Sequence, residues 1–312
     1  MTSYVFPGQG SQILGMSKDF YNNFNTAKET FEEIQDYAKI DLKNIMFGDN
    51  IEFLNLTKNT QLSIFTASYI IYRTLDNLKK INYSNIQTML GHSLGEYTAL
   101  TCSNKLKLED CVMILKKRGQ LMNDAIEPNT TGMAALIGLS SENVAQIIDQ
   151  NDLKIEIAND NSPVQVVVSG NIDQIEKSKE IFMKNNLKKF IKLNVSAAFH
   201  SNLMLEAQKE LNTLLDSITL NTNEVKIISN FNAKVSNDTA EIKYSLKNQM
   251  SNKVRWTESI LNLEKIGENK IIEIGPGNVL SGLIKRISSS FDIISINKIQ
   301  DLDNILWIKK YL

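Results

Sequence analysis

The sequence predicts an α/β fold in which a mostly parallel sheet is interrupted by a smaller inserted unit. Two observations lead to this prediction. β-rich runs alternate with helical patterns along most of the chain, which favours parallel strands joined by helices. In the middle of the chain the predicted order becomes β-α-β-β-α-β, which is typical of a ferredoxin-like unit. We therefore expect a large α/β body at residues 1–128 and 196–312 and a ferredoxin-like small subdomain at 129–195.

The first part of the large body contains two predicted strands. Tyr4–Phe6 is a short apolar strand, and the apolar run Ile86–Leu90 predicts a buried strand that ends at Gly91. Apolar residues at helical spacing predict helices between and after these strands. These helices are Gln61–Leu78, Leu94–Ser103 and Leu108–Asp124.

The inserted unit begins after Pro128 and contains four predicted strands and two helices. A turn-rich segment at 159–163 is expected to join its second and third strands. The strands are Met133–Leu139, Lys154–Ala158, Val164–Ser169 and Phe190–Val195. The helices are Ser140–Asp152 and Asp173–Asn185.

Beyond the insertion the α/β alternation resumes. Three more strands are expected, with helices between them and a closing helix after the last. These strands are Val225–Ser229, Lys270–Ile274 and Asp292–Ile296.

Composition excludes several classes of function. The chain has 312 residues and a formal net charge of -1, so no bulk attraction to nucleic acid or anionic membrane is expected. No apolar stretch reaches the roughly 18 residues of a membrane helix, and the N-terminus lacks a secretion signal, so we expect a cytoplasmic protein. Two cysteines and two histidines are too few for a disulfide framework or a multi-histidine metal centre, and no metal is expected.

Gly91-His92-Ser93-Leu94-Gly95 fits the nucleophile elbow G-x-S-x-G. Such an elbow is a sharp strand-to-helix turn, and its two glycines remove Cβ atoms that would clash there. The predicted strand before the motif and the predicted helix after it supply the context that the elbow requires. The alternative is a tight turn without chemistry.

A serine needs a base to accept its proton, and the chain offers only two histidines. His92 is adjacent to Ser93, and neighbours on such a turn usually project in different directions. His200 follows Ser93 far along the chain, the order found in elbow-type enzymes, so His200 is the preferred base. The alternative is that His200 is a packed or solvated residue.

Arg118 occupies a position where the apolar face of its predicted helix would favour leucine. Arginine is rarely buried without a partner, and its planar guanidinium can bind a carboxylate through two hydrogen bonds. One interpretation is a clamp for a substrate carboxylate close to Ser93. The other is a structural ion pair with a buried Asp or Glu.

Taken together, the motifs of the chain resemble those of malonyl-CoA:acyl carrier protein transacylases. The match extends over essentially the whole chain in the same order. Its motifs are Gly8-Gln9-Gly10-Ser11-Gln12, Gly91-His92-Ser93-Leu94-Gly95-Glu96, Arg118-Gly119-Gln120-Leu121-Met122, Gly132-Met133-Ala134-Ala135, Asn159 to Pro163, Ala198-Phe199-His200 and Gly275-Pro276-Gly277.

The resemblance implies a role for each matching position. Ser93 would be the nucleophile, His200 its base and Arg118 the site of the malonyl carboxylate. The backbone N–H groups of Gln9 and Leu94 would form the oxyanion hole, and no dinucleotide loop is expected. The backbone carbonyl that orients the histidine would belong to Gln249, His92 would help to shape the pocket entrance, and the large body would be α/β-hydrolase-like.

Two positions depart from the family's usual pattern. Thr60-Gln61-Leu62 stands where Thr-Gln-Pro is common, so Gln61 is a weaker candidate for lining the site. Phe199 precedes the histidine, as in polyketide-type acyltransferases that select malonyl, and its ring would disfavour an α-methyl group. Stand-alone, trans-acting polyketide synthase acyltransferases are therefore the closest in appearance.

The implied reaction is a ping-pong transfer of malonyl from malonyl-CoA to the phosphopantetheine thiol of an acyl carrier protein or polyketide synthase carrier domain. No cofactor is implied, a monomer is expected, and polyketide and fatty-acid pathways both remain open. The alternatives are an acyl hydrolase of the same fold, a general esterase and a non-catalytic docking module. Basic residues that could meet an acidic carrier protein are Lys116-Lys117, Lys188-Lys189, Lys253, Arg255, Lys285 and Arg286.

Overall fold

The structure, a computed structural model, describes residues 1–81, 85–125, 127, 130–195 and 197–303. Two sheets organise this part of the chain. The strands are β1 Thr2–Phe6, β2 Ile86–Gly91, β3 Thr131–Ile137, β4 Ile155–Ser162, β5 Gln165–Asn171, β6 Lys189–Lys192, β7 Lys226–Ile228, β8 Val235–Ser236, β9 Val254–Arg255, β10 Lys270–Ile274 and β11 Asp292–Ile296.

The helices pack on both sheets. Those before the insertion are α1 Lys18–Asn23, α2 Asn25–Ala38, α3 Leu42–Phe47, α4 Ile51–Asn55, α5 Thr57–Asn77, α6 Leu94–Cys102 and α7 Leu108–Asp124. The remaining ones are α8 Ser141–Gln150, α9 Ile172–Lys184, α10 Leu205–Ser217, α11 Thr239–Leu246, α12 Trp256–Lys265 and α13 Val279–Ile287.

The first sheet has six strands in the order β11-β10-β1-β2-β7-β8. Its first five strands are mutually parallel, and only the short β8 runs antiparallel to its neighbour. The predicted mostly parallel sheet of the large body is therefore confirmed. Because parallel strands share one carboxyl edge, the loops that follow β1, β2 and β7 meet at the same edge of the sheet.

The second sheet has the order β6-β3-β5-β4-β9. Its first four strands pair antiparallel and carry α8 and α9 in the βαββαβ order, which confirms the predicted ferredoxin-like arrangement. A separate apolar core joins these elements, with Leu136, Val168 and Phe182 among its fully buried members. The division of the chain at residues 129 and 195 remains a prediction.

Two details of the second sheet differ from the sequence expectation. The segment 159–162, predicted as a turn, continues β4, because Asn159 and Asp160 pair with β5 across irregular register. In addition, Asn159 and Asp160 pair in parallel with β9, which comes from beyond the insertion. Polar composition concealed this strand, whose asparagines lie in the pocket described below. The predicted last strand of the unit also ends earlier, at Lys192.

Most other elements lie within a few residues of their predicted positions. The structure has α7 at Leu108–Asp124, β10 at Lys270–Ile274 and β11 at Asp292–Ile296, as predicted. The long helix α5 begins four residues before its predicted start and is buried along most of its length. The predicted closing helix lies largely outside the described residues, since only a short 3-10 stretch at 299–303 falls within them.

Candidate active site

Ser93 lies on a sharp turn between β2 and α6. Its backbone has φ 53° and ψ -110°, a conformation that side chains with a Cβ rarely adopt. A Cβ on Gly91 would lie 2.0 Å from the carbonyl carbon of Gly95, and a Cβ on Gly95 would lie 2.2 Å from the carbonyl oxygen of Phe6. Both glycines are therefore required by contact between backbones, as the elbow motif predicts.

Asn230, which follows β7, holds this turn in place. Its Oδ1 accepts a hydrogen bond from the backbone N–H of Ser93 at 2.6 Å, and its Nδ2 donates to the carbonyl of Gly91 at 2.7 Å. These bonds satisfy polar groups that the strained turn leaves without helix or sheet partners. The sequence analysis missed Asn230, because nothing in its local pattern connects it to residue 93.

Ser93 and His200 are brought together, as the sequence predicts. The Ser93 Oγ lies 2.8 Å from His200 Nε2, while His200 Nδ1 lies 3.1 Å from the carbonyl oxygen of Gln249. A carbonyl can only accept, so Nδ1 carries the proton and Nε2 is free to accept the serine proton. His200 has φ 56°, and its backbone N–H donates to Met250 at 3.1 Å, which fixes the ring beside Ser93.

The surroundings of His200 favour the neutral imidazole. Burial, followed by the positive charge of Arg118, lowers the pKa of His200 to about 3. The hydrogen bond to Gln249 acts in the opposite direction but is the smaller effect. A neutral imidazole at physiological pH is the form that can remove a proton from serine.

Arg118 is fully buried, and it contacts Ser93 directly. Its Nη2 donates to the Ser93 Oγ at 3.1 Å and to the side-chain oxygen of Gln249 at 2.9 Å, and its Nη1 donates to Gln61 at 2.6 Å. None of the ion pairs formed within the described residues includes Arg118. The structure thus gives no support to a structural ion pair and leaves the guanidinium without a carboxylate partner.

Gln61 is closer to the centre of the site than its departure from the family pattern implied. Its side chain is buried, accepts from Arg118 and donates to the Met122 sulfur at 3.1 Å. The early start of α5 at Thr57 keeps this part of the helix regular, with leucine at position 62 in place of the usual proline.

The predicted oxyanion-hole residues lie at the same edge of the sheet as Ser93. Gln9 follows β1 and lines the pocket, while Leu94 is the first residue of α6. Within the part of the chain that the structure describes, neither backbone N–H has a hydrogen-bond acceptor. Two unsatisfied donors beside a nucleophile, one of them at a helix N-terminus, are suited to a developing oxyanion.

These groups open into a cavity of about 280 Å³ between the two sheets. The second sheet contributes to its wall both apolar side chains, Met133, Ala135 and Val167, and polar ones, Asn159, Asn161 and Gln165, and Phe199 lines it next to His200. His92 faces the same cavity, with its Nε2 2.8 Å from Asn161 Oδ1 and its ring against Trp256. His92 is therefore a wall residue that contacts the second sheet.

The described residues contain no group of three or more His, Cys, Asp or Glu side chains placed to hold a metal ion. None of the helices in the described ranges is long and apolar enough to cross a membrane.

The sequence profile of the acyl transferase domain matches residues 3–300. The chain belongs to the acyl transferase family. Among its relatives is the malonyl CoA-acyl carrier protein transacylase of Bacillus subtilis, which is 37% identical over 300 residues, covering 95% of this chain and 93% of the relative. The resemblance to malonyl-CoA:acyl carrier protein transacylases is therefore confirmed.

Solved structures agree with this placement of the acyl transferase. An acyl-carrier-protein S-malonyltransferase from Bartonella henselae superposes with a TM-score of 0.94 at 32% identity, covering 98% of each chain. A malonyl-transacylase in complex with its type II polyketide synthase acyl-carrier protein superposes with a TM-score of 0.93 at 32% identity, covering 98% of this chain and 99% of that one.

Proposed function

We propose that this acyl transferase moves a malonyl group from malonyl-CoA to the phosphopantetheine thiol of an acyl carrier protein, through a malonyl ester on Ser93. One observation carries the proposal. The Ser93 Oγ lies 2.8 Å from a histidine nitrogen that can accept its proton and 3.1 Å from a buried arginine that forms no ion pair with any described carboxylate. A nucleophile, a base and an unpaired cation in one pocket fit an acyl group that carries a free carboxylate.

In the first half-reaction, the malonyl carboxylate binds Arg118 and the thioester carbonyl reaches Ser93. His200 Nε2 accepts the serine proton as Oγ attacks the carbonyl carbon. The N–H groups of Gln9 and Leu94 donate to the oxyanion of the tetrahedral intermediate. The carbon–sulfur bond then breaks, and CoA leaves with the proton from His200.

In the second half-reaction, the carrier protein's thiol gives its proton to His200 and attacks the malonyl ester. The tetrahedral oxyanion forms again at the same donors, and Ser93 leaves with the proton returned by His200. Both half-reactions thus use one base, one oxyanion site and one carboxylate clamp. The protein needs no cofactor for these steps, because each substrate brings its own pantetheine arm.

The relatives favour transfer over the hydrolase alternative. The Bacillus subtilis protein is named a transacylase, and the polyketide structure is described as a complex of a malonyl-transacylase with its acyl-carrier protein. A hydrolase that releases varied acyl groups would also have no use for a carboxylate clamp, whereas Arg118 is buried beside Ser93.

Basic surface residues are the candidates for the contact with the carrier protein. Among the basic candidates, Lys117 pairs with Glu210 and Arg255 with Glu258, while Arg286 donates to Gln165, which lines the pocket. Arg286 and its neighbour Lys285 are therefore our choice for the contact with an acidic carrier protein.

We further propose a cytoplasmic monomer that serves fatty-acid or polyketide carrier proteins. We expect malonyl to be preferred over α-methylated acyl groups, because the Phe199 ring lines the acyl pocket.

The experiment that tests the function follows the fate of labelled malonyl. The enzyme is mixed with malonyl-CoA in the presence or absence of a holo acyl carrier protein, and malonyl-carrier protein and free malonate are both quantified. We expect rapid transfer to the carrier protein and slow release of malonate, with both abolished in Ser93→Ala. Release of malonate as fast as transfer would instead establish a hydrolase. Parallel reactions with fatty-acid and polyketide carrier proteins identify the pathway.

A further inference from the structure

Glu96 is a buried carboxylate at the centre of the site that the transfer mechanism does not use. It lies three residues after Ser93 in α6, and none of its surface is exposed. It forms none of the ion pairs found within the described residues. A carboxylate buried without a cation in contact is costly unless hydrogen bonds or nearby charge stabilise it, so its partners need an explanation.

One oxygen of Glu96 holds two neighbours of the reacting groups. Its Oε2 accepts from the backbone N–H of Asn230 at 3.0 Å and from the side-chain Nε2 of Gln249 at 2.8 Å. Asn230 in turn holds the backbone of Ser93, and the carbonyl of Gln249 orients His200. Glu96 is therefore hydrogen-bonded both to Asn230, which holds the nucleophile, and to Gln249, which orients the base.

Gln249 also links Glu96 to Arg118. Its Nε2 donates to Glu96 and to the carbonyl of Ser93, while its Oε1 accepts from Arg118 Nη2 at 2.9 Å. A carboxylate can only accept and a guanidinium can only donate, so the Gln249 amide can adopt only one of its two orientations. In this orientation, its dipole points from the negative group toward the positive one with favourable sign at both ends.

We propose that Glu96 is a positioning residue for malonyl transfer, which acts through the amide of Gln249 to hold Arg118 where the malonyl carboxylate binds. This inference rests on the proposed function, because it assigns Arg118 to that carboxylate. Without Glu96 the Nε2 of Gln249 keeps only the Ser93 carbonyl as its acceptor, so the amide oxygen that Arg118 binds is held less firmly. The clamp loses its fixed position, so malonyl-CoA is affected more strongly than acetyl-CoA, which has no carboxylate to bind.

Two substitutions at Glu96 distinguish the effect of its hydrogen bonds from the effect of filling a buried position. Glu96→Ala removes the acceptor, and we expect the ratio of kcat/KM for malonyl-CoA to that for acetyl-CoA to fall by about tenfold, the size of a charge-assisted hydrogen bond. Glu96→Gln can place its amide oxygen where Oε2 now lies and keep both bonds, so the ratio should stay within about threefold of wild type.

The matched control is Glu268→Gln. Glu268 is also a buried carboxylate, but its contact is with Thr88 and it lies two residues before β10, at the end of the sheet opposite the site. This substitution should leave the malonyl-to-acetyl ratio unchanged, whatever it does to the free energy of unfolding. Thermal unfolding of each variant identifies any loss that comes from the fold.

A double-mutant cycle tests the route through Gln249. Gln249→Met removes the amide but keeps the backbone carbonyl that orients His200, and we expect the same tenfold loss of selectivity. Adding Glu96→Ala to Gln249→Met should then cause little further loss, because the two residues act in series. If Glu96→Ala does not fold, Gln249→Met alone decides the matter, since wild-type selectivity in that variant would show that the Gln249 amide does not hold Arg118.

Three results would overturn the proposal. The first is wild-type selectivity in Glu96→Ala, the second is full additivity in the cycle, and the third is a loss in Glu96→Gln as deep as that in Glu96→Ala. Failure of the proposed function looks different, because the wild-type enzyme would then form no malonyl ester at Ser93 and would show no selectivity for malonyl-CoA.

Discussion

The two sheets contribute to the pocket in different ways. The six-stranded sheet contributes its carboxyl edge, where Gln9 follows β1, Ser93 follows β2 and Asn230 follows β7. Ser93 presents its Oγ to His200, Gln9 offers a backbone N–H, and Asn230 forms hydrogen bonds that fix the backbone of Ser93. The second sheet contributes a wall of side chains, some apolar, such as Met133 and Val167, and some polar, such as Asn161, which is hydrogen-bonded to His92.

The six-stranded sheet therefore positions the reacting groups, and the second sheet encloses the pocket. Strand ends converge by topology, so a parallel sheet can bring a nucleophile and oxyanion donors together with backbone precision. A sheet face placed opposite encloses the substrate with apolar side chains and a small number of polar groups. Changes at the strand ends should therefore have large effects, and changes on the facing wall should have small ones.

The largest effect is expected for Gly95→Ala, where the elbow contacts the backbone at the end of β1. The new Cβ would lie 2.2 Å from the Phe6 carbonyl oxygen, so β1 and the elbow must separate. We expect the free energy of unfolding to fall by about 3 kcal/mol and the transfer activity to be lost with it. Denaturant unfolding and the transfer assay measure both.

Gly282→Ala is the control for this substitution. Gly282 lies in α13, and a Cβ there meets nothing within 4 Å. The change should raise the free energy of unfolding by about 0.5 kcal/mol because alanine favours the helix. Equal destabilisation by the two substitutions would contradict the role of backbone contact at the elbow.

Arg118→Ala should have the next largest effect. Removal of the guanidinium should lower kcat/KM for malonyl-CoA by about a hundredfold, the value of hydrogen bonds to a charged group in a buried site. Activity with acetyl-CoA should be kept or improved, since acetyl presents no carboxylate. Steady-state kinetics with both donors provide the measurement, and an equal loss with both would indicate a structural role for Arg118.

The pH dependence of acylation tests the environment of His200, the base that faces Ser93. His200 must be neutral to act as a base, and burial together with Arg118 lowers its pKa to about 3. The value of kcat/KM for malonyl-CoA should therefore not fall as the pH decreases through about 6.5, where an ordinary histidine becomes protonated. In Arg118→Ala, the repulsive charge is gone and the acidic limb should move to higher pH.

The same shift affects stability with a defined sign. Because the unfolded chain protonates His200 near its ordinary pKa and the folded protein does not, the contribution of His200 to stability is present above that pKa. It is lost as the pH falls toward the folded-state value. An acidic limb of kcat/KM near the ordinary histidine pKa would contradict both expectations.

Asn161→Ala, on the facing wall, should have the smallest effect. It removes the hydrogen bond to His92 Nε2, while the His92 ring keeps its contact with Trp256. We expect a loss of about 1 kcal/mol, which corresponds to roughly fivefold in kcat/KM. A loss as large as that of Arg118→Ala would show that the facing wall takes part in the chemistry.

The fold could be predicted from the sequence where local patterns decide it. Apolar strands such as β10 and the amphipathic helix α7 have the predicted bounds, because the period of their hydrophobic residues is set by the sheet and the core. The polar end of β4 and the two-residue β9 could not be predicted, since neighbouring strands and not their own composition place them in the sheet.

The residues of the candidate site also fall into those that a local pattern predicts and those that it does not. The glycine spacing around Ser93 and the odd position of Arg118 are visible in the sequence, and the family resemblance connected them to His200 and Gln249. Asn230 and the side-chain role of Gln249 depend on contacts across more than a hundred residues, which no local pattern reports. Glu96 stood inside the quoted motif, and its position as the single charged residue of the helix Leu94–Cys102 was the signal that could have singled it out.

The most direct test of the account is to locate the acyl group on the enzyme. Wild-type protein is mixed with malonyl-CoA without a carrier protein, quenched in acid and analysed by intact and peptide mass spectrometry. We expect one malonyl ester on Ser93, which disappears when a carrier protein thiol is added, and no ester in Ser93→Ala. A malonyl group on another residue, or undiminished labelling of Ser93→Ala, would contradict the central claim that Ser93 is the nucleophile.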